Sequence, residues 1–343
     1  MKKMKKYILI LFICSFFTFN FKGNAQALPI NSQYVFNQYL INAAYGGTYL
    51  FTPIVINHRN QWVGFGESAP QTSSISMHSS IGERSGMGLY IISDETFPIS
   101  RSQTQLSYSY HSVLKNKLVL SMALSGTWNI HQFSYQEGIT YSEMENGITD
   151  LVNSENETES VADMNFGLML FNDNFDIGIS IRNLMAKEPI DVNIEDQIKR
   201  VRYILLHGSY MVSNPNSAIG IIPSFVMRKM GIATYNSVYE FDFNCKLVYR
   251  NNIWTGFSYR THEKTFATLL GFNTQKLFIG WSYEIGSSGL ASYHHGSHNI
   301  AIGLKIIGKN ARAVRNQTPL YMNLDSEWKK IRFFNTRQHK SGK

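Results

Sequence analysis

Apolar and polar residues alternate with a period of two along most of this chain. Between Val238 and Arg250, Tyr239, Phe241, Phe243, Cys245, Leu247 and Tyr249 fall on one face, and Glu240, Asp242, Asn244, Lys246 and Arg250 on the other. Leu118, Leu120, Met122 and Leu124 likewise oppose Ser121, Ala123 and Ser125. Leu277, Ile279, Trp281 and Tyr283 oppose Gly280, Ser282 and Glu284, and Ile300, Ile302, Leu304 and Ile306 oppose Ala301, Gly303 and Lys305. Side chains two residues apart share a face in an extended strand. No long stretch carries apolar residues at i, i+3, i+4 and i+7, the helical spacing. About fourteen strand segments lie between Thr52 and Gly308. Most run to roughly 9–13 residues, against ~5–6 for a soluble strand and ~9–11 for a tilted membrane strand. Glycines on the polar face (Gly178, Gly256, Gly280, Gly303) suit a crowded barrel interior.

The connections separate a soluble sandwich from a membrane barrel. Long and short ones alternate: "RNQWVGFGESAP" then "IGERS", "SDETFPIS" then "LKNK", Gln132 to Ser160 then "NDN". Met185 to Lys199 is followed by "SNPN", and Met230 to Ser237 by "RNN"; "HEK" breaks the rule, and "NTQK" precedes the long "GSSGLASYHHGSH". Long loops at one end and tight turns at the other are the asymmetry of an outer-membrane barrel. The expected fold is all-β, a transmembrane antiparallel β-barrel of about 14 strands with a C-terminal periplasmic extension. An even strand count returns both termini to the periplasmic side. In a bilayer every backbone group must be paired, and closure leaves no edge. Tyr110, Trp128, Tyr203, Tyr249, Tyr259 and Trp281, near strand ends, are then expected in interfacial belts.

The chain ends add a destination. Lysines at 2, 3, 5 and 6 precede the apolar stretch Tyr7–Phe21, and Gly23-Asn24-Ala25 resembles a cleavage site. That combination reads as a secretory signal peptide over residues 1–25. Its removal takes five lysines and lowers the formal net charge from +8 to +3. Nine of the remaining cations sit in 309–343, beside only Asp325 and Glu327. The high pI is thus a property of the two ends, and nucleic acid is not an expected partner. Cys245 alone survives cleavage, so no intramolecular disulfide is possible. The expected organisation is a signal (1–25), an N-terminal pre-barrel segment (26–50), a barrel (51–308) embedded in outer-membrane lipid, and a basic periplasmic tail (309–343).

One stretch departs from plain alternation: "NHRNQWVGFGESAPQTSSISMHSSIG", from Asn57, with Arg59, Asn60, Gln61, Trp62, Val63 and Gly64, then Ala69-Pro70, Thr72, Ser76 and His78. Upstream, "QYVFNQYLINAAYGGT" carries Phe36, Asn37, Asn42, Ala44, Tyr45 and Gly47. These two motifs resemble the PorP/SprF family of outer-membrane proteins associated with the type IX secretion system. The resemblance spans about residues 33–308 and is most distinctive in the first 80. Gln38 and Ala43 stand where the family usually has prolines, which implies a less rigid pre-barrel segment. The tail after Gly308 does not map onto the family. The resemblance implies a non-enzymatic role in secretion or gliding, with two kinds of partner: a secreted adhesin or other cargo protein, and periplasmic secretion-ring components.

The residues themselves fit such a role. Trp62 and Phe65 are rigid apolar anchors and Arg59 a bidentate donor, types frequent at binding hot spots. Gly64 and Gly66 allow positive φ and Pro70 fixes the exit. Either these residues meet a partner, or Trp62 packs into the barrel mouth while Arg59 pairs with an inward carboxylate. The candidate partner-binding set is Arg59, Asn60, Gln61, Trp62, Gly64, Phe65 and Pro70, with Asn42, Tyr45 and Gly47 as companions. The basic tail adds Trp328, Phe333 and Phe334, since a merely solvated tail needs no aromatics; it could dock a partner, plug the lumen, or be a disordered end. The acidic run Glu137–Glu159 lacks calcium-loop spacing and reads as a solvated loop. No G-x-S-x-G occurs, and His294, His295 and His298 lack a further local ligand, so no catalytic residue, metal or cofactor is expected. A porin or small-solute channel is the alternative, because inward Arg182, Glu240, Asp242, Lys246 and Glu284 suit a wet lumen.

Overall fold

The computed structural model describes residues 32–49, 51–64, 66, 69–82, 84–96, 99–114, 118–133, 157–172, 174–186, 202–213, 218–230, 238–250, 252–274, 276–286 and 295–306. The signal segment, Phe65, residues 137–156 of the acidic run, His294 and the tail with Trp328, Phe333 and Phe334 lie outside them.

Fifteen strand segments follow in order. They are β1 Thr52–Asn60, β2 Gln71–Ser80, β3 Ser85–Thr96, β4 Ile99–Val113 and β5 Val119–Phe133. Next come β6 Glu157–Phe171, β7 Phe175–Arg182, β8 Tyr203–Tyr210, β9 Val212–Ser213 and β10 Ile219–Met230. The last are β11 Val238–Tyr249, β12 Ile253–Arg260, β13 Thr265–Asn273, β14 Leu277–Gly286 and β15 Ser297–Ile306. Neighbours pair antiparallel, β10 pairs with β11, and β15 pairs with β1 from Thr52↔Ile306 to Asn60↔His298, so the sheet closes on itself. β8 and β9 are one strand in one register: Ser209 opposes Ser224 and Val212 opposes Ile221. Between those pairs the ladder skips Ile222 and Pro223, and Pro223 has no N–H to give; the Met211 N–H turns to Asn174 O at 2.7 Å. The wall therefore has fourteen staves, as the alternation predicts.

Outward faces are apolar around the ring. Ile300, Ile302, Leu304 and Ile306 on β15 each leave about half their surface exposed, as do Phe257, Phe266 and Phe272 on β12 and β13. An apolar band of that extent faces lipid, not water. Tyr110, Trp128 and Tyr249 lie outward as expected, but Tyr203 does not. It is 5 % exposed in the lumen, where its hydroxyl accepts from Arg182 at 3.5 Å, because its parity along β8 matches Leu205 and His207. "SDETFPIS" is also not a long loop: the ladder continues through Glu95↔Ser100 and Thr96↔Ile99, leaving only 97–98 between β3 and β4. Outward Ser93, Glu95, Ser100 and Ser102 look like loop residues in sequence because this hairpin rises beyond the apolar band.

Inside, the two halves of the wall differ. From β10 round to β1, arginines and carboxylates alternate as Arg228–Glu240 (3.1 Å), Arg260–Asp242 (3.8 Å), Arg260–Glu284 (3.4 Å) and Arg59–Glu284 (2.5 Å). From β2 to β6 the inward residues are mostly neutral, among them Ser76, Gln103, Ser107, Ser109, Ser121, Thr127 and Asn129, all buried, with Asp94 and Asp163 the buried carboxylates of this arc. What buries the lower lumen is the chain's own start. Three single 3-10 turns, Ser32–Val35, Gln38–Leu40 and Ala43–Tyr45, run from the end carrying the longer connections to the end carrying the tight turns. Asn42 caps the third through Oδ1, which accepts the Ala44 N–H at 2.9 Å. Tyr34, Phe36, Ile41 and Tyr49 pack with Val55, Leu205, Trp254 and Phe278; Tyr39, Ala44 and Tyr45 pack with Tyr90, Ile92 and Met169. The hydrophobic core thus lies between this plug and the wall.

The outward face can be tested against the bilayer. Ile302→Arg at mid-strand should lower stability in lipid by ~2–4 kcal/mol, while His58→Arg near the strand end should cost ~0–1 kcal/mol. Denaturant titration of the refolded protein in vesicles reads both, and equal costs would remove the lipid assignment.

Candidate functional site: the lumen plug and the signature loop

Each plug turn is fastened to a different part of the wall. At the loop end the Ser32 hydroxyl donates to Glu284 Oε1 at 2.6 Å, and Tyr34 OH donates to Asp242 Oδ2 at 3.1 Å. Midway, Asn37 Nδ2 donates to Ser76 Oγ at 2.5 Å, Tyr39 OH bonds Ser107 Oγ at 2.6 Å, and the Leu40 carbonyl accepts from Arg182. At the tight-turn end, Tyr45 OH donates to Asp176 Oδ1 at 2.6 Å and Asn42 Nδ2 meets His207 Nε2 at 3.0 Å. The Ser121 and Ser109 hydroxyls cap the Ala44 and Gly46 carbonyls, both at 2.6 Å. The Gly47 N–H donates to His78 Nδ1 at 3.2 Å. The neutral half of the wall therefore serves main-chain groups that no helix or sheet satisfies, which must be bonded when buried.

Space is matched as closely as polarity. A Cβ on Gly88 would strike the Tyr39 phenol, one on Gly167 the Asn42 amide, and one on Gly280 would stand 2.7 Å from the Phe36 ring. These glycines face inward on β3, β6 and β14, opposite three different plug residues. Gly47 turns the chain out of the plug at φ +72°, where a Cβ would stand 2.7 Å from the Gly86 Cα.

The signature loop closes the seam above. Arg59 is 2 % exposed and ion-paired with Glu284; with the Gln61 amide oxygen turned toward it, Gln61 accepts from both its terminal nitrogens at 2.6 and 3.0 Å. Of the two expectations for Arg59, this is pairing with an inward carboxylate. The Gln61 N–H donates to Pro70 O at 2.9 Å, which shuts the loop on itself. Beyond Asn60 the loop runs along the start of β15: Trp62 N–H donates to Ser297 Oγ at 3.2 Å, Val63 N–H to Gly296 O at 2.9 Å, and His295 N–H to Val63 O at 2.8 Å. Trp62 has φ +49° and is half-buried; Gly64, at φ +94°, lies beneath the His295 ring. His298 stacks with Trp281 and packs at a tilt against Tyr283. Among the described residues no group of three or more His, Cys, Asp or Glu is placed to hold a metal ion.

The structure thus joins the two motifs through one carboxylate: Ser32, just ahead of the upstream motif, and Arg59 of the loop both bond Glu284. Asn42, Tyr45 and Gly47 lie lower, in the lumen, and do not adjoin Trp62. The sequence pattern offered the basic tail as a possible plug and left the N-terminal segment unassigned to the lumen. The available signal was the density of Tyr34, Phe36, Tyr39, Tyr45 and Tyr49 ahead of β1, matched by glycines on the polar faces of the strands.

Closed, antiparallel, apolar outside and polar within, the molecule is a transmembrane β-barrel of the outer-membrane kind. The family model of the type IX secretion system membrane protein PorP/SprF matches residues 23–304, and the chain belongs to that family, with a role in the secretion machinery. A search of curated proteins finds no match. Among solved structures, the chain is similar to the Ralstonia pickettii toluene transporter TbuX, at 9 % identity over 84 % of this chain and 99 % of that one, TM-score 0.46. It is also similar to the P. putida toluene transporter TodX (8 %, covering 77 % and 94 %, TM-score 0.44). A third is the Acinetobacter baumannii outer membrane protein Omp33 (7 %, covering 75 % and 98 %, TM-score 0.41).

Breaking the shared carboxylate should be costly. Arg59→Ala leaves buried Glu284 short of one guanidinium, and removing one partner of a buried pair typically costs ~3–5 kcal/mol. Arg59→Ala with Glu284→Gln should cost less than the two single changes added together. Unfolding of the four proteins in detergent checks this, and additive losses would show that the pair does not act as a unit.

Proposed function

We propose that the protein is a plugged, non-enzymatic scaffold of the type IX secretion or gliding machinery. It binds, anchors or hands over one specific secreted cargo, such as a surface adhesin, and contacts periplasmic ring components. The loop end faces outward, and the tight-turn end, where β1 begins and β15 ends, faces the periplasm together with the basic tail 309–343. Family membership supports the machinery; the observation that carries the scaffold reading is the lumen filled by Ser32–Tyr49 and bonded to the wall along its length. A conduit for small solutes would need that path. The outer face of the signature loop, with Trp62 half-buried beside the β1–β15 seam, is the surface offered to cargo. Trp328, Phe333 and Phe334 are proposed to meet the ring.

A tagged copy purified from detergent-solubilised outer membranes should bring down a large secreted protein or periplasmic ring components, identified by mass spectrometry. Trp62→Ala should leave the barrel inserted, with the usual shift in gel mobility on boiling, and abolish display of that cargo. A partnerless barrel, or normal display in the variant, would sink the reading.

The plug makes a second prediction. The intact protein should be silent in planar bilayers, whereas Gly88→Leu, which collides with Tyr39, should open it to ions and expose residues 32–49 to protease. A steady large conductance from the intact protein would favour the porin alternative.

A further inference from the structure

The direction in which the plug runs has a topological consequence. Ser32 is held at the loop end: its N–H and hydroxyl both bond Glu284, two residues short of the end of β14, and its hydroxyl accepts from Arg260, the last residue of β12. Gly47 is held at the opposite end by His78, with Thr52 of β1 beginning there beside Ser79. The segment therefore crosses the lumen once, downward, before the first strand. We propose that the chain ahead of Ser32 leaves the barrel at the loop end, so that the N-terminal flank and the C-terminal tail stand on opposite faces of the membrane. An even number of strands puts the start of β1 and the end of β15 on one side, but it does not govern a segment that traverses the lumen first.

The path back down is filled. Tyr34, Phe36, Tyr39, Tyr45 and Tyr49 are each 4 % exposed or less. Among the described residues, a cavity between Tyr34, Ile41, Tyr45 and the wall residues His207 and Lys246 holds about 30 Å³, room for about one water and not for a second strand of chain at that place. The way out is short. Glu284 stands about 7 Å below the last residue of its strand at ~3.4 Å per residue, and six residues extended, Gln26–Asn31, reach about 20 Å. Gln-Ala-Leu-Pro-Ile-Asn carries no charge, and Pro29 disfavours a helix. The flank is thus presented on the side where the loops lie.

The inference rests on the plug and needs no cargo. In a cysteine-free background (Cys14→Ser, Cys245→Ser), Ile30→Cys would be compared with three markers: His262→Cys on the loop rim, Lys276→Cys on the tight-turn rim and Gly342→Cys in the tail. Intact cells are treated with a membrane-impermeant PEG-maleimide, then the same cells after permeabilisation, and variants without heat-modifiable mobility are discarded. The Ile30→Cys protein should shift on gels in intact cells together with His262→Cys, while Lys276→Cys and Gly342→Cys shift only after permeabilisation. Grouping of Ile30→Cys with Lys276→Cys overturns the inference, and so does failure to react before and after permeabilisation. Exchange of the two rim markers would overturn the orientation in the membrane and leave the comparison of the flank with His262→Cys intact.

Discussion

Glu284 is shared by three donors that come from distant parts of the chain: Ser32 at the head of the plug, Arg59 beside the seam, and Arg260 on β12. A carboxylate so deeply buried is tolerable only if its charge is balanced and its lone pairs are filled. Each donor is therefore required where it stands, and the position of each follows from the others. Arg260 in turn faces Glu263 and Asp242, and Asp242 receives Tyr34, so Ser32 and Tyr34 at the head of the plug are both drawn into the charged arc. Ion pairs set the height at which the plug begins. Along the rest of the plug, the Ser109 and Ser121 hydroxyls satisfy main-chain carbonyls without adding charge to a low-dielectric interior, while Arg182 and Asp176 bond Leu40 and Tyr45.

Shape does the remaining work. A polar lumen alone would hold water, and a plug made of tyrosines alone would not fit between fourteen staves lined by full-sized side chains. Gly88, Gly167 and Gly280 remove side chains under Tyr39, Asn42 and Phe36, so the plug approaches the wall backbone directly. Packing at that closeness is felt at the level of a single methyl group. The same glycines weaken a strand intrinsically, a cost offset here by contacts with a segment outside the sheet.

Much of the fold was legible because strand parity is unforgiving: a residue's face follows from counting by two, and lipid demands an apolar answer at every outward position. That is why inward Arg182, Glu240, Asp242, Lys246 and Glu284 could be named in advance. Parity also corrects the reading of Tyr203, whose residue type suggests a belt but whose place in β8 puts it inside. Strand ends were less legible at Ser93–Ser102, because once a hairpin leaves the hydrocarbon its outward residues turn polar and imitate a loop. The plug was the hardest part. Three isolated 3-10 turns have no period, and their stability comes from groups 31 to 252 residues away. The signature loop stood out by composition, yet the pairing of Arg59 with Glu284 joins residues 225 positions apart, which no local spacing announces.

The seam between β1 and β15 carries a consequence for how the molecule is made. The two strands that close the wall are the first and last of the chain, and their ladder forms only when every stave between them exists. The plug precedes β1, so it is synthesised before any stave and is tethered to the edge of the gap until the gap shuts. Closing the wall around a segment already lying in the groove requires no threading of a free end, whereas filling a finished barrel would. The order of residues in this chain is thus an order of synthesis in which the filling precedes the wall and the closing strand comes last.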